Sequence, residues 1–198
     1  MKKLLISLFI IFIIWSLCVF FNVFKGFDQS IYNFIISFRC DFLDNFFKLI
    51  TKLGNTKTII LLIFLTIVIF YNKLSLYLSS ISVVSSAVMI IIKNIIRRDR
   101  PHIFRLITQG GFSYPSGHSM ISICFYGFIA YYIINKTDNK IIKYLILTLS
   151  ILLILLIGIS RIYVGVHYPS DVIGGYLVSA IILIICINYY IKGSDKND

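Results

Sequence analysis

The sequence predicts an all-α integral membrane protein, a bundle of six transmembrane helices with an amphipathic interfacial helical segment after the first. Three observations predict it. Of 198 residues, 59% are hydrophobic and 14% charged, against about 45–50% and about 25% in soluble domains. The apolar residues come in blocks near the roughly 20-residue length that a ~30 Å hydrocarbon core demands. The connections between blocks leave no room for a separate soluble domain, so residues 1–198 read as a single membrane domain.

Lys2 and Lys3 precede an apolar run from Leu4 to Phe24. Its basic start resembles a signal peptide, but no small-x-small cleavage site follows in the bulky Phe21-Asn22-Val23-Phe24. Nor does Trp15-Ser16-Leu17 make a lipobox before Cys18. The run is expected to stay as the first span. Residues 27–53 differ in kind. Ile31, Phe34, Ile35, Phe38, Phe42, Phe46 and Ile50 follow helical spacing, while Ser30, Asn33, Ser37, Asp41, Asp44 and Lys48 fall largely on the other side. Such a stripe suits one or two helices in the interface, broken near Arg39-Cys40-Asp41. Further apolar runs cover 57–72, 74–96, 118–134, 141–160 and 171–191, connected at Asn72-Lys73, 97–117, Asn135 to Lys140, and 161–170. Six crossings put both chain ends on one side.

The net charge of +11 arises from 19 Lys and Arg against 8 acidic residues, all of them Asp. In a membrane protein this points to anionic headgroups or an anionic substrate rather than nucleic acid. Cys18, Cys40, Cys124 and Cys186 are far apart and show neither a disulfide framework nor metal-ligand spacing. Orientation follows from the basic residues once those near the polar clusters described next are set aside. The remainder favour cytoplasmic chain ends, with the clusters on the outer face of the cytoplasmic membrane.

With six crossings, three polar clusters meet on one face. The first is Lys93 followed by Arg97-Arg98-Asp99-Arg100-Pro101, the second Pro115-Ser116-Gly117-His118, and the third Ser160-Arg161 through His167 to Asp171. Lys93, Arg100 and Arg161 combine a point charge with two planar forks suited to phosphate oxygens. Ser116 and Gly117 start a helix, where free N–H groups and the dipole favour an anion. Asp171 follows His167 by one helical turn, so its carboxylate can hold one ring nitrogen and leave the other free to attack. Crowding by cations disfavours a charged imidazole and keeps His167 neutral. Arg97, Arg98 and Arg105 read as headgroup contacts, and His102 as a loop residue without catalytic duty. Asp99 and Asp171 are the only carboxylates near the clusters, too few for a two-metal site, so no metal or other cofactor is expected.

Lys93-x6-Arg100-Pro101, Pro115-Ser116-Gly117-His118 and Ser160-Arg161-x5-His167-x3-Asp171 together resemble the three-part signature of the type 2 phosphatidic acid phosphatases. These are the membrane branch of a superfamily shared with vanadium haloperoxidases. The resemblance implies that His167 attacks phosphorus to form a phosphohistidine, that Asp171 orients it, and that His118 protonates the leaving oxygen. It implies that Lys93, Arg100, Ser116, Gly117 and Arg161 hold the phosphoryl oxygens, consistent with a reaction governed by positioning and charge stabilisation. The implied partners are a lipid phosphate substrate and membrane lipids, with no nucleic acid and no obligatory protein. An outward-facing site suits carrier-lipid recycling, which ranks undecaprenyl diphosphate first, ahead of phosphatidylglycerol phosphate and phosphatidic acid. An anion transporter is the remote alternative. It would use the arginines but not the paired histidines with Asp171, and transport needs polar groups near the bilayer midplane.

Overall fold

A computed structural model describes residues 2–70, 73–102 and 104–194. Among them every regular element is helical: α1 (Lys2–Phe20), α2 (Lys25–Ser37), α3 (Asp41–Leu53), α4 (Thr56–Phe70), α5 (Lys73–Ile96), α6 (Gly117–Ser122), α7 (Phe128–Lys136), α8 (Lys140–Tyr163) and α9 (Pro169–Ser194). A π-helical turn, Ile123–Gly127, joins α6 to α7, so these three pieces make one span. Tyr71, Asn72 and Lys196 lie outside the described residues, and with them part of the expected Asn72-Lys73 connection.

Five spans are long and apolar enough to cross a bilayer individually: α1, α5, α6 with α7, α8 and α9. The run expected at 57–72 differs. Its helix α4 has 15 residues, which at 1.5 Å per residue is about 22 Å, short of a ~30 Å core. It reaches spanning length only together with α3, from which it bends by 49°. The bend falls at Gly54-Asn55, and a chain that breaks at membrane depth must find partners for its freed carbonyls. Tyr126 in the π-helical turn supplies one, its hydroxyl donating to Leu53 O at 2.8 Å. A Cβ on Gly54 would come within 2.8 Å of Ile157 and 3.1 Å of the His118 ring. Only glycine lets the elbow come this close.

The interfacial segment divides as expected, with Phe38 to Cys40 between α2 and α3. Its apolar stripe splits by task. Phe34, Phe38 and Phe42 are exposed on the outside of the bundle, where lipid would meet them. A second face turns inward: Tyr32 and Ile35 pack with Ile162 and Val172, and Leu43 and Phe47 pack with Tyr163 and Val164.

α9 is the central helix, packed against α1, α5, α6 and α8. The main core runs along it, where Val178 and Ile182 meet Phe12 and Val19 of α1, Ile81 of α5, and Met120 and Cys124. A second cluster of Ile59, Leu74, Leu78, Phe125 and Phe128 closes the other end. The outward faces of α1, α4 and α8 remain apolar and exposed, as burial against lipid rather than water allows. The later part of α1 meets the start of α9, where Trp15 bonds Ser170, so α1 begins and α9 ends away from the third polar cluster.

Candidate active site

The α8–α9 connection, Val164 to Tyr168, is short, and its shape is set by Gly165. Gly165 adopts φ 78°, a left-handed conformation open to glycine at no steric cost. A Cβ there would also collide with the backbone carbonyl of Phe104. The turn presents Val166 O and His167 inward, and Pro169 then starts α9. His167 is 2% exposed and Asp171, one turn on, is fully buried. Asp171 Oδ2 accepts from the Tyr168 N–H at 2.8 Å and stands 3.5 Å from His167 Nδ1, longer than a hydrogen bond. The geometry directs Nδ1 at the carboxylate and leaves Nε2 facing the cations.

Arg100 is the hub of those cations. Its Nη1 reaches Val166 O at 2.8 Å and His167 Nε2 at 3.1 Å. Its Nε and Nη2 donate to the carbonyls of Gly110, Gly111 and Phe112. Lys93 donates its ammonium to Phe112 O and Ser113 O. Arg161 comes from the last turn of α8 and is 1% exposed. Its Nη1 donates to Thr51 Oγ1 of α3 and its Nη2 to Gln109 Oε1 at 3.4 Å, while its Nε has no protein partner. Burial, with Arg161, Arg100 and Lys93 around it, holds the His167 imidazole well below the ordinary histidine range.

These groups share a cavity of about 770 Å³, lined at one end by Lys93, Arg100, Gly117, His118, Arg161 and His167. Its other wall is Ile59, Ile60 and Ile63 of α4 facing Val83, Ala87 and Ile90 of α5. A polar, cationic head thus opens into an apolar slot between two membrane helices.

Lys93, Arg100, Gly117, His118, Arg161 and His167 therefore meet in one cavity, with Asp171 directly behind His167. Ser116 departs from expectation. Its side chain is fully buried, caps α6 by accepting from Ser119 N at 3.4 Å and Ser119 Oγ at 2.9 Å, and does not line the cavity. Its N–H is taken by Asp171 O at 3.0 Å, so its place is that of a helix cap. Arg98 also departs. It is no headgroup contact, because its guanidinium lies between Asp28 and Asp171, 2.6 Å and 2.7 Å away. Asp28, from the first turn of α2, is 1% exposed and adds a carboxylate beside the site that the spacing of the clusters did not reveal. Asp99 is exposed. Arg97, Arg105 and His102 are exposed as well, on the loop side.

Thr51 and Gln109 are the two other side chains that sequence reasoning missed. Thr51 carries no local signal, since its distance in sequence from Arg161 is bridged only by the packing of α3 on α8. Gln109 sits inside the long 97–117 connection, where its proximity to glycines was the only available hint.

Comparison with known proteins gives a consistent result. The PAP2 superfamily profile matches residues 73–194. Phosphatidylglycerophosphatase B of Bacillus subtilis (strain 168) is 30% identical over 96% of this chain and 94% of its own length. The crystal structure of a transmembrane PAP2-type phosphatidylglycerolphosphate phosphatase from Bacillus subtilis superposes with a TM-score of 0.87 at 26% identity, covering 95% of this chain and 96% of that one. LpxE of Aquifex aeolicus shares the fold, with a TM-score of 0.70 at 24% identity over 82% of this chain and 96% of its own. With profile, full-length relative and fold in agreement, the chain belongs to the PAP2 superfamily and is a multi-pass membrane lipid phosphatase.

Proposed function

We propose that the protein removes the terminal phosphate of a lipid phosphate monoester through a phosphohistidine on His167, with phosphatidylglycerol phosphate as the substrate. One observation carries the reaction: His167 Nε2 lies at the cationic end of a cavity whose remaining wall is mainly apolar, with a carboxylate behind the opposite ring nitrogen. The lipid is assigned from the full-length likeness to phosphatidylglycerophosphatase B. That likeness moves undecaprenyl diphosphate, ranked first on the sequence, to second place beside phosphatidic acid.

In the reaction, the phosphate enters between Arg100, Arg161 and Lys93, and its oxygens take over donors of Arg100 and Lys93 that otherwise serve backbone carbonyls, together with the unpaired Nε of Arg161. Arg100 moves from His167 Nε2 to a phosphoryl oxygen, which frees the nitrogen lone pair. Nε2 attacks phosphorus while the bond to the leaving oxygen breaks, and that oxygen takes a proton from His118. His118, now neutral, accepts a proton from water as the water oxygen attacks phosphorus and the phosphorus–nitrogen bond breaks, returning its electron pair to Nε2. Inorganic phosphate leaves and His167 is neutral again. Asp171 tightens on Nδ1–H as positive charge develops on the ring. Charge stabilisation by fixed cations provides most of the rate gain in such a transfer. The site faces the outer side of the cytoplasmic membrane in this proposal, with the α1 and α9 ends inside. No metal takes part.

The test is phosphate release by purified protein in detergent, with phosphatidylglycerol phosphate, phosphatidic acid and undecaprenyl diphosphate compared side by side. Highest kcat/KM on phosphatidylglycerol phosphate is expected, and His167→Ala should reduce turnover to background while the protein stays in the membrane. Substantial turnover by that variant sinks the phosphohistidine. A higher kcat/KM on undecaprenyl diphosphate sinks the lipid assignment alone.

A further inference from the structure

Behind the site lies a polar network that the catalytic scheme does not use. Asp28 receives three hydrogen bonds: from Ser170 N at 2.9 Å, Ser170 Oγ at 2.7 Å and Arg98 Nη2 at 2.6 Å. The first makes Asp28 an external cap for the first turn of α9, holding an N–H group that the helix leaves unpaired. Arg98 Nη1 donates both to Ser170 Oγ and to Asp171 Oδ1, each at 2.7 Å. The guanidinium also stacks over the Tyr168 ring, 4.2 Å from its centroid. One carboxylate oxygen of Asp171 is thereby spoken for by Arg98, and the other is turned to Tyr168 N–H and His167. Buried charges of this kind persist only when paired in good geometry, and here Asp28 on α2 completes the pairing. Arg98 and Asp28 do not line the cavity that holds His167. They face a separate polar cavity of about 510 Å³, together with Lys25, Arg97 and Asp99.

We propose that Asp28 and Arg98 are positioning residues, a buried ion pair that fixes the rotamer of Asp171 and sets how much of its charge reaches His167. The proposal rests on His167 being the nucleophile. Arg98 neutralises part of the Asp171 charge, and Asp28 in turn neutralises part of Arg98. Removing Arg98 therefore strengthens the pull of Asp171 on a protonated His167, and removing Asp28 weakens it. The other charged or titratable groups facing His167 are Lys93 of α5, Arg100 after it, His118 of α6 and Arg161 of α8. Tyr114 and Tyr168 face Asp171. All of these stay constant across the variants, as does the substrate's own phosphate ionisation near pH 6.

The experiment measures kcat, KM and the acidic limb of kcat/KM for the full-length protein in detergent, with phosphatidylglycerol phosphate as substrate. Asp28→Asn, Arg98→Gln and the double variant are compared with wild type. The single variants should lose about 10- to 100-fold in kcat, the size of loss found when the outer partners of metal-bound histidines are removed, with KM within twofold of wild type. The limb should move to higher pH in Arg98→Gln and to lower pH in Asp28→Asn, each by about half a unit or more. In the double variant, which removes one positive and one negative charge together, it should return to within a few tenths of wild type. Should Arg98→Gln fail to fold, Asp28→Asn and the double variant still decide. A limb that does not move down in Asp28→Asn, or that fails to return in the double variant, overturns the proposal. So does a rise in KM at constant kcat, which would make Arg98 a headgroup contact instead. Turnover by wild type and its loss in His167→Ala test the reading beneath, so failure of that reading is seen separately and sinks both.

Discussion

The chain on either side of the α4–α5 connection contributes to the site in two different ways. Among the described residues, the later part, from α5 onward, supplies every charged or titratable side chain that lines the cavity or backs His167: Lys93, Arg100, His118, Arg161, His167 and Asp171. The earlier part supplies single side chains that hold those groups from outside. Asp28 caps α9 and pairs with Arg98, Thr51 accepts from Arg161, and Trp15 donates to Ser170 O at 3.0 Å. The difference teaches a division of labour. Chemistry is concentrated in one contiguous stretch whose helices cross beside one another. Its precision depends on an outer shell of α1, α2 and α3, whose remaining surface is free to serve the lipid.

If the division is correct, substitutions in the later part cost the most. Arg161→Ala removes a buried cation whose Nε has no partner but an incoming phosphate, and should raise the barrier by about 2–5 kcal/mol in kcat/KM. The same variant tests the electrostatics. Attack needs neutral His167, so activity is lost as pH falls through its pKa, and the depressed value keeps the acidic limb below the ordinary histidine value of about 6.5. Taking away Arg161 removes a neighbour that disfavours the imidazolium, so the limb moves to higher pH. An unmoved limb would show that Arg161 acts on substrate alone.

The next prediction crosses the divide. Thr51→Val keeps shape and removes the hydroxyl that receives Arg161 Nη1. A hydrogen bond to a charged group contributes about 1.5–3 kcal/mol, and bound phosphate recovers part of it by holding the same guanidinium. Thr51→Val should therefore cost less in kcat/KM than Arg161→Ala. An equal cost would abolish the distinction between groups that touch phosphate and groups that hold them.

The same contrast explains what could be read from the sequence. The later part was legible because its chemistry is spaced locally: His167 and Asp171 sit one turn apart, and Ser116 to His118 open a helix. Legibility had limits even there, since Ser116 turned out to cap α6 with its side chain rather than reach the cavity. Asp28, Thr51 and Arg98 were illegible as site residues. Asp28 looks like any acid in a first helical turn, Thr51 like a polar face residue, and Arg98 like a headgroup arginine beside Arg97. Their partners are set by how α2 and α3 dock on α8 and α9, which no spacing encodes. The expected span at 57–72 differs in one respect for a related reason. Residues 57–72 are apolar enough for a span, but a 15-residue α4 reaches spanning length only together with α3. The elbow at Gly54 between them is dictated by the approach of His118 and Ile157 rather than by hydropathy.

The smallest effect is expected where the earlier part touches only backbone. Trp15 of α1 donates its indole N–H to Ser170 O, and its ring packs at a tilt against Phe24 with centroids 4.2 Å apart. Trp15→Phe retains most of the ring contact and removes the donor. The carbonyl it leaves belongs to the first turn of α9, where it can still serve the helix's own i+4 hydrogen bond, so the loss is that of one neutral bond, about 1 kcal/mol. Ser170 remains fixed from its other side by Asp28, through both its N–H and its hydroxyl. The variant should lower thermal stability in detergent slightly while leaving kcat and KM within twofold of wild type. A loss of kcat comparable with that of Thr51→Val would mean that α1 sets the position of α9 and not merely its stability. The outer shell would then include the first membrane helix as a working part of the site.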